Sequence, residues 1–290
     1  MARIWTYQQY YNDFGQAWDG HVEAFSVNLI EISFMDTLSS PSWQGVATGQ
    51  FRQGPGGQIS GTVTGYTFSF QNTLIYRFEG ANLSAARLFA LMEADSPALL
   101  AYVLSQADVF DLSSNSDIAR GYGGNDVLNG NAGDDQLAGD AGRDRVLGGS
   151  GDDTLQGGAG RDTLRGDSGD DVLEGGTGAD LMSGGYGADR FVFARLADSR
   201  PGAMDRVQDF ARAEGDVIDL SALDAQRGMR GNQSFDLIGT AAFSGSAGEL
   251  RWQRDGAGIT VTADTDGDGR ADFALHLERL ATLRASDFVL

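Results

Sequence analysis

Apolar side chains recur at every ninth position through the middle of the chain: Leu128, Leu137, Val146, Leu155, Leu164, Leu173, Met182 and Phe191. The stretches between them are rich in glycine, aspartate and other polar residues. Neither the 3.6-residue period of a helix nor a long two-residue alternation fits that spacing. A period of nine predicts one short strand and one turn per unit. Such units stack as a solenoid, because a single apolar residue cannot form a core without its neighbours. The strand falls on the last three residues of each unit, as in Val127-Leu128-Asn129, with the middle side chain pointing inward.

Eight units run without a slip from Gly121 to Val192. Glycine stands first in each, at Gly121, Gly130, Gly139, Gly148, Gly157, Gly166, Gly175 and Gly184. It stands fourth as well, at Gly124, Gly133, Gly142, Gly151, Gly160, Gly169, Gly178 and Gly187. Aspartate is sixth, at Asp126, Asp135, Asp144, Asp153, Asp162, Asp171, Asp180 and Asp189. Carboxylates and backbone carbonyls are the ligands of calcium, a hard cation that takes about six to eight oxygens. Glycine reaches positive φ and lets carbonyls converge without a Cβ in the way. These residues are therefore the candidate metal site. Two units make one coil, with coils about 4.8 Å apart. Asp126, Asp144, Asp162 and Asp180 then line one edge, and Asp135, Asp153, Asp171 and Asp189 the other.

The units match G-G-x-G-x-D-x-U-x and resemble the calcium-binding RTX, or hemolysin-type, nonapeptide repeat. The resemblance implies a parallel β-roll with one calcium between stacked turns on each edge. Two stacks of four turns leave three gaps each, hence about six ions. The block carries 14 acidic residues and 5 arginines, a net charge of −9. Without cations this repulsion and the ordering entropy of a glycine-rich chain outweigh eight apolar side chains. Metal binding would supply the folding free energy.

The flanks complete an expected all-β-dominated fold. Residues 1–110 alternate in strand fashion over 24–34, 59–70 and 73–78, with Gly54-Pro-Gly-Gly as a turn, and predict a small β-sandwich-like domain. Two short helices follow, near 85–94 behind a Ser84 cap and 97–107 with Pro97 in the first turn. Residues 111–120 read as a degenerate ninth unit with Asp117 in sixth place, which puts the roll at 111–192. Residues 193–290 predict antiparallel strands closing it, with a hairpin at Asp255-Gly-Ala-Gly. Asp264-Thr-Asp-Gly-Asp-Gly begins like an EF-hand loop, but Leu275 stands where a bidentate glutamate belongs, so an acidic hairpin turn is expected, with weak calcium binding left open.

The segments Asp189-Arg-Phe-Val-Phe, Asp205-Arg-Val-Gln-Asp-Phe and Gly215-Asp-Val-Ile-Asp-Leu are similar to the C-terminal domain of serralysin-type proteases. So are Phe243–Leu250 and Ala271–Leu277. The final Asp287-Phe-Val-Leu290 resembles the uncleaved export signal of type I secreted proteins. That likeness implies a protein secreted through a type I apparatus, unfolded inside the cell and folded by calcium outside. The opening residues lack an apolar segment and a small-residue cleavage site, so no signal peptide is expected, and no stretch has the length of a membrane span.

The net charge of −20 argues against nucleic acid as a partner. Cysteine is absent, which excludes disulfides and thiol chemistry. No His-Glu-x-x-His or Gly-x-Ser-x-Gly occurs, and the two histidines, His21 and His276, lie far apart. No catalytic residue is assigned. The leading expectation is a secreted calcium-binding protein whose N-terminal module binds an extracellular ligand; aromatics such as Trp5, Tyr7 and Trp18 are expected to pack in a core or at an edge, with stacking on a carbohydrate the alternative. A secreted enzyme with an unrecognised N-terminal site, or a small exotoxin or antibacterial protein, stays open.

Overall fold

The computed structural model describes residues 5–6, 32–35, 43–53, 59–70, 73–84, 107–112, 114–226 and 229–290. The chain divides into two units, one comprising residues 1–113 and 121–126, the other 114–120 and 127–290.

In the first unit, Trp5–Thr6 (β1), Ile32–Met35 (β2), Trp43–Gln53 (β3), Ile59–Phe70 (β4) and Thr73–Ser84 (β5) join in sequence order as one five-stranded sheet. β1 and β2 run parallel, and β2 to β5 are antiparallel. The strand character expected from alternation is present over 59–70, 73–78 and 32–34, while 24–31 lie outside the described residues. A second sheet, which a sandwich needs, is not among the described residues. The helices expected near 85–94 and 97–107 lie outside those residues, as do His21, Tyr7, Trp18 and the turn at Gly54. A short strand, Val109–Asp111 (β6), ends this part.

The second unit begins with Ile118–Arg120 (β7). Then come Val127–Ala132 (β8), Gln136–Gly142 (β9), Arg145–Ser150 (β10), Thr154–Gly160 (β11), Thr163–Ser168 (β12), Val172–Gly178 (β13), Leu181–Tyr186 (β14) and Arg190–Val192 (β15). Alternate strands pair in parallel with a register of one coil. Leu128 faces Val146, then Leu164, then Met182; Leu137 faces Leu155, then Leu173, then Phe191. All eight of these side chains are at most 2% exposed, so the predicted inward position is the core.

Two findings depart from the sequence-based expectation. Strands β8 to β14 are six or seven residues long, not three, and run on through the first three or four positions of the next unit. The chain keeps pairing across the corner because the second position of every unit adopts positive φ, from Tyr122 at 66° to Gly149 at 115°. Parallel stacking also continues past Val192. Asp205–Val207 (β16) pairs with β14, and Val217–Asp219 (β17) with β15.

Asp236–Gly239 (β18), Glu249–Arg254 (β19), Gly258–Asp264 (β20), Phe273–Glu278 (β21) and Phe288–Val289 (β22) complete the chain. β19, β20 and β21 form the expected antiparallel closure, with β21 then parallel to β16 and β22 parallel to β17. The buried core of this end includes Phe193 edge-on to Phe273 at 5.2 Å, Leu250, Val261 and Leu275.

Candidate metal centre

The sixth-position aspartates fall on two edges, as their spacing predicts, and every one is at most 2% exposed. Each is held by the coil that follows it. The Asp144 N–H donates to Asp162 Oδ1, and Asp162 N–H to Asp180 Oδ1, both at 2.8 Å. On the other edge Asp135, Asp153 and Asp171 donate in turn to Asp153, Asp171 and Asp189 at 2.8–3.1 Å. Each aspartate carbonyl also accepts an N–H from the next coil, for example Asp153 O from Val172 N at 2.8 Å. The carboxyl groups are thereby fixed in two vertical files.

One oxygen of each carboxyl is spent on this ladder. The other is not. Oδ2 of Asp135, Asp153, Asp162, Asp171, Asp180 and Asp189 is buried without a hydrogen-bond partner. An ionised oxygen in that state is costly unless a cation meets it. Burial is the first cause that lifts these carboxyls above their ordinary range, against the lowering effect of the ladder N–H. Asp153, Asp162 and Asp189 are pushed up to about 6, and Asp171 and Asp180 to about 7.

The two recurrent glycines serve different purposes. Fourth-position glycines all have positive φ, from 104° at Gly133 to 159° at Gly178. First-position glycines do not; what they supply is room. A Cβ on Gly157 would stand 2.7 Å from Asp162 Oδ2 and 2.5 Å from the Gly175 carbonyl oxygen. The same overlap recurs at Gly130 with Asp135 and Gly148, and at Gly166 with Asp171 and Gly184. Each cradle thus brings an unpartnered carboxylate oxygen and a glycine carbonyl against one another where a side chain would otherwise sit. A hard, oxygen-seeking cation fits this donor set.

The ladder holds aspartates that the nine-residue consensus does not mark. Asp108 N–H donates to Asp126 Oδ1 and Asp117 N–H to Asp135 Oδ1. Asp205 Oδ1 accepts from Asp180 N–H at 2.8 Å, and Asp216 Oδ1 from Asp189 N–H at 3.1 Å. Asp117 is in the degenerate ninth unit; Asp108, Asp205 and Asp216 carry no nonapeptide signature. A shorter signal finds them. Each is followed two residues later by an inward apolar side chain, as in Asp108-x-Phe110, Asp205-x-Val207 and Asp216-x-Ile218.

The edges differ at the fifth position. Asp134, Asp152 and Asp170 form a second, exposed file on one edge, where Asp152 N–H donates to Asp134 Oδ1 and Asp170 N–H to Asp152 Oδ1 at 2.8–2.9 Å. The other edge carries Arg143 and Arg161 there.

Elsewhere, Asp264–Asp272 is the turn between antiparallel β20 and β21, not a helix-flanked loop. Asp264, Asp266 and Asp268 approach within 4.8 Å, but both Asp264 oxygens accept backbone N–H groups, from Gly267 at 2.7 Å and Gly269 at 2.8 Å. His276 packs in β21, 6% exposed, with Nδ1 at 3.1 Å from Asp255 Oδ2. The C-terminal Asp287 and Phe288 are built into the fold. Phe288 pairs with Ile218, and Asp287 accepts two bonds from the Arg212 guanidinium at 2.5–2.6 Å. No described helix is long and apolar enough to cross a membrane.

The RTX calcium-binding nonapeptide repeat matches this chain in four copies, at residues 113–146, 139–173, 147–182 and 166–198. Two solved structures from Azotobacter vinelandii are similar. The AlgE6R3 subunit of its mannuronan C5-epimerase is 32% identical over 54% of this chain and 77% of its own, with a TM-score of 0.33. The AlgE6R2 subunit is 30% identical over 54% of this chain and 88% of its own, with a TM-score of 0.36. No curated protein matches.

Proposed function

Because the chain carries RTX calcium-binding nonapeptide repeats, we propose that calcium outside the cell is what gives its roll a stable fold. The observation that carries this reading is the file of buried Oδ2 atoms without protein partners. The sixth-position aspartates from Asp126 to Asp189 are the proposed carboxylate ligands, and glycine carbonyls beside the cradles supply further oxygens. Four turns on each edge give about six sites between turns. When bound, the ion supplies charge neutralisation to carboxylates that burial otherwise drives toward the protonated form. The protein's own part is to hold one oxygen of each carboxyl with a backbone N–H, aim the other, and keep side chains out of the space.

The physiological setting follows from the same balance. Where free calcium is scarce, a block of net charge −9 lacks the free energy to order itself. An unfolded chain suits export through a type I apparatus that reads the C-terminal Asp287-Phe-Val-Leu, and extracellular calcium then traps the folded form. The serralysin likeness of residues 193–290 belongs to this reading. Residues 1–110 are proposed as the module that meets an extracellular ligand, with carbohydrate the class its aromatic residues suit.

The test is far-ultraviolet circular dichroism of the full chain, first in chelator and then across a calcium titration, with bound ions counted by native mass spectrometry. Gain of β-structure together with about six ions is expected. A roll that stays ordered after divalent ions are stripped would overturn the proposal.

A further inference from the structure

We propose that the calcium file on one edge runs one rung past the last nonapeptide, to Asp205, whereas on the other edge it stops at Asp189. This deepens the reading above and rests on it.

Asp205 lies beyond residue 198, where the repeat match ends, and no glycine-rich unit precedes it. The coil joining Asp180 to Asp205 has 25 residues instead of 18. The rung nevertheless keeps the ladder bond and strand register of the others, although Arg200 stands where a repeat has its first glycine. Its Oδ1 takes the Asp180 N–H, and the strands stay in register, Leu181 beside Arg206 and Met182 beside Val207. Asp205 is 0% exposed and Asp180 is 1%. Oδ2 of each is buried without a partner. Two such oxygens on successive rungs form the same unmet demand for a cation that the repeats create. The neighbouring buried acid does not share it. Asp198 Oδ2 accepts N–H groups from Ala194 and Arg195, and its Oδ1 accepts Arg195 Nε–H at 3.1 Å.

The file ends there for a visible reason. The strand beyond β16 is β21, which places Leu275 opposite Asp205, so no further acid can follow. The Asp205 N–H, which in a repeat would donate to the next aspartate, donates to Ser199 Oγ at 2.8 Å, and that hydroxyl donates to the Ala274 carbonyl.

The opposite edge closes differently. Asp216 takes the Asp189 N–H on Oδ1 at 3.1 Å and the Ala211 N–H on Oδ2 at 2.6 Å. Both oxygens are engaged. A backbone donor stands where the other rungs require an ion, so Asp216 caps its file without metal.

Native mass spectrometry of the full chain at saturating calcium separates the possibilities. Asp205→Asn keeps an acceptor for the Asp180 N–H but removes the charge, and it should bind one ion fewer than the parent, in which this rung raises the roughly six sites of the repeats to about seven. Asp162→Asn, inside the repeats, should lose at least one, while Asp216→Asn should lose none. If Asp162→Asn loses calcium and Asp205→Asn does not, the extension to Asp205 is wrong and the repeat reading stands. If neither loses calcium, the repeat reading itself fails. Loss on Asp216→Asn would sink the asymmetry. Anomalous scattering from parent crystals grown in calcium needs no variant: a peak beside Asp205 with none at Asp216 is expected, and the reverse refutes the proposal.

Discussion

At the residue scale, the two glycines of each unit are irreplaceable for separate reasons. Gly169 has φ of 135°, and a Cβ there would overlap the Gly151 carbonyl oxygen of the coil before it. Gly169→Ala therefore combines backbone strain with a backbone clash that no rotamer relieves, at a cost of at least about 3 kcal/mol. A large fall in the calcium-loaded melting temperature is expected, whereas Gln156→Ala, on an exposed site, should change it little. Gly157 is different: its Cβ would press on Asp162 Oδ2 and the Gly175 carbonyl. Gly157→Ala should weaken calcium binding more than it lowers stability under saturating ion, which a titration followed by melting resolves. The motif was legible in the sequence, but this division of labour was not. Spacing marks which residues recur; only the folded backbone separates a need for positive φ from a need for empty space. The left-handed second position is hidden for a related reason, since Tyr122, Asn131, Asp140 and Asp167 occupy it beside the glycines and blur the signal.

At the element scale, the edges should titrate apart. Asp134, Asp152 and Asp170 add negative charge beside one file, and Arg143 and Arg161 add positive charge beside the other. The acid-doubled edge is expected to fill first, giving a two-phase calcium isotherm. Arg161→Ser should tighten the weaker phase by about 1 kcal/mol, roughly fivefold, as expected for one screened charge near a partly buried site. Calorimetry that returns a single class of sites would contradict this.

The C-terminal strand makes a different prediction. Burial would raise the Asp287 carboxyl, but the Arg212 side-chain bonds and the Arg284 N–H outweigh it and hold it below the usual range. A depressed folded-state value means that the pair stabilises above the unfolded carboxylate value, about 4, and that this contribution disappears as the pH falls through the lower folded value. Asp287→Asn should be less stable near neutrality by up to about 3 kcal/mol, with the gap to the parent closing in acid. Denaturation midpoints measured from about pH 7 down to about pH 3 check it. Arg212 stands 75 residues from Asp287, so no local pattern could have revealed the pairing. The closing hairpin over Asp255 was readable, because its glycine turn and alternating flanks are local features.

At the scale of the whole molecule, the period of nine fixed the stacking of β8 to β15 and the two files of acids, since each coil repeats the same pairing. It failed where coils lengthen to 25 and 27 residues, because Asp205 and Asp216 keep the inward aspartate and apolar pair but shed the glycines. The hydrogen bonds along both files also share one polarity. For the buried carboxyls, the earlier coil donates its aspartate N–H and the later coil accepts on Oδ1, whereas the strand amides and the exposed fifth-position file donate in the opposite direction. A coil's aspartate amide thus finds its acceptor only after its successor is in place. The Asp205 amide closes locally on Ser199 Oγ, while on the other edge the Asp216 carboxyl takes a local N–H from Ala211. The Asp205 amide alone needs no later coil, so winding is expected to begin at that rung and proceed backward along the chain. Pulse-labelled exchange after calcium addition should find the Asp180 and Asp189 amides shielded before those of Asp135 and Asp144.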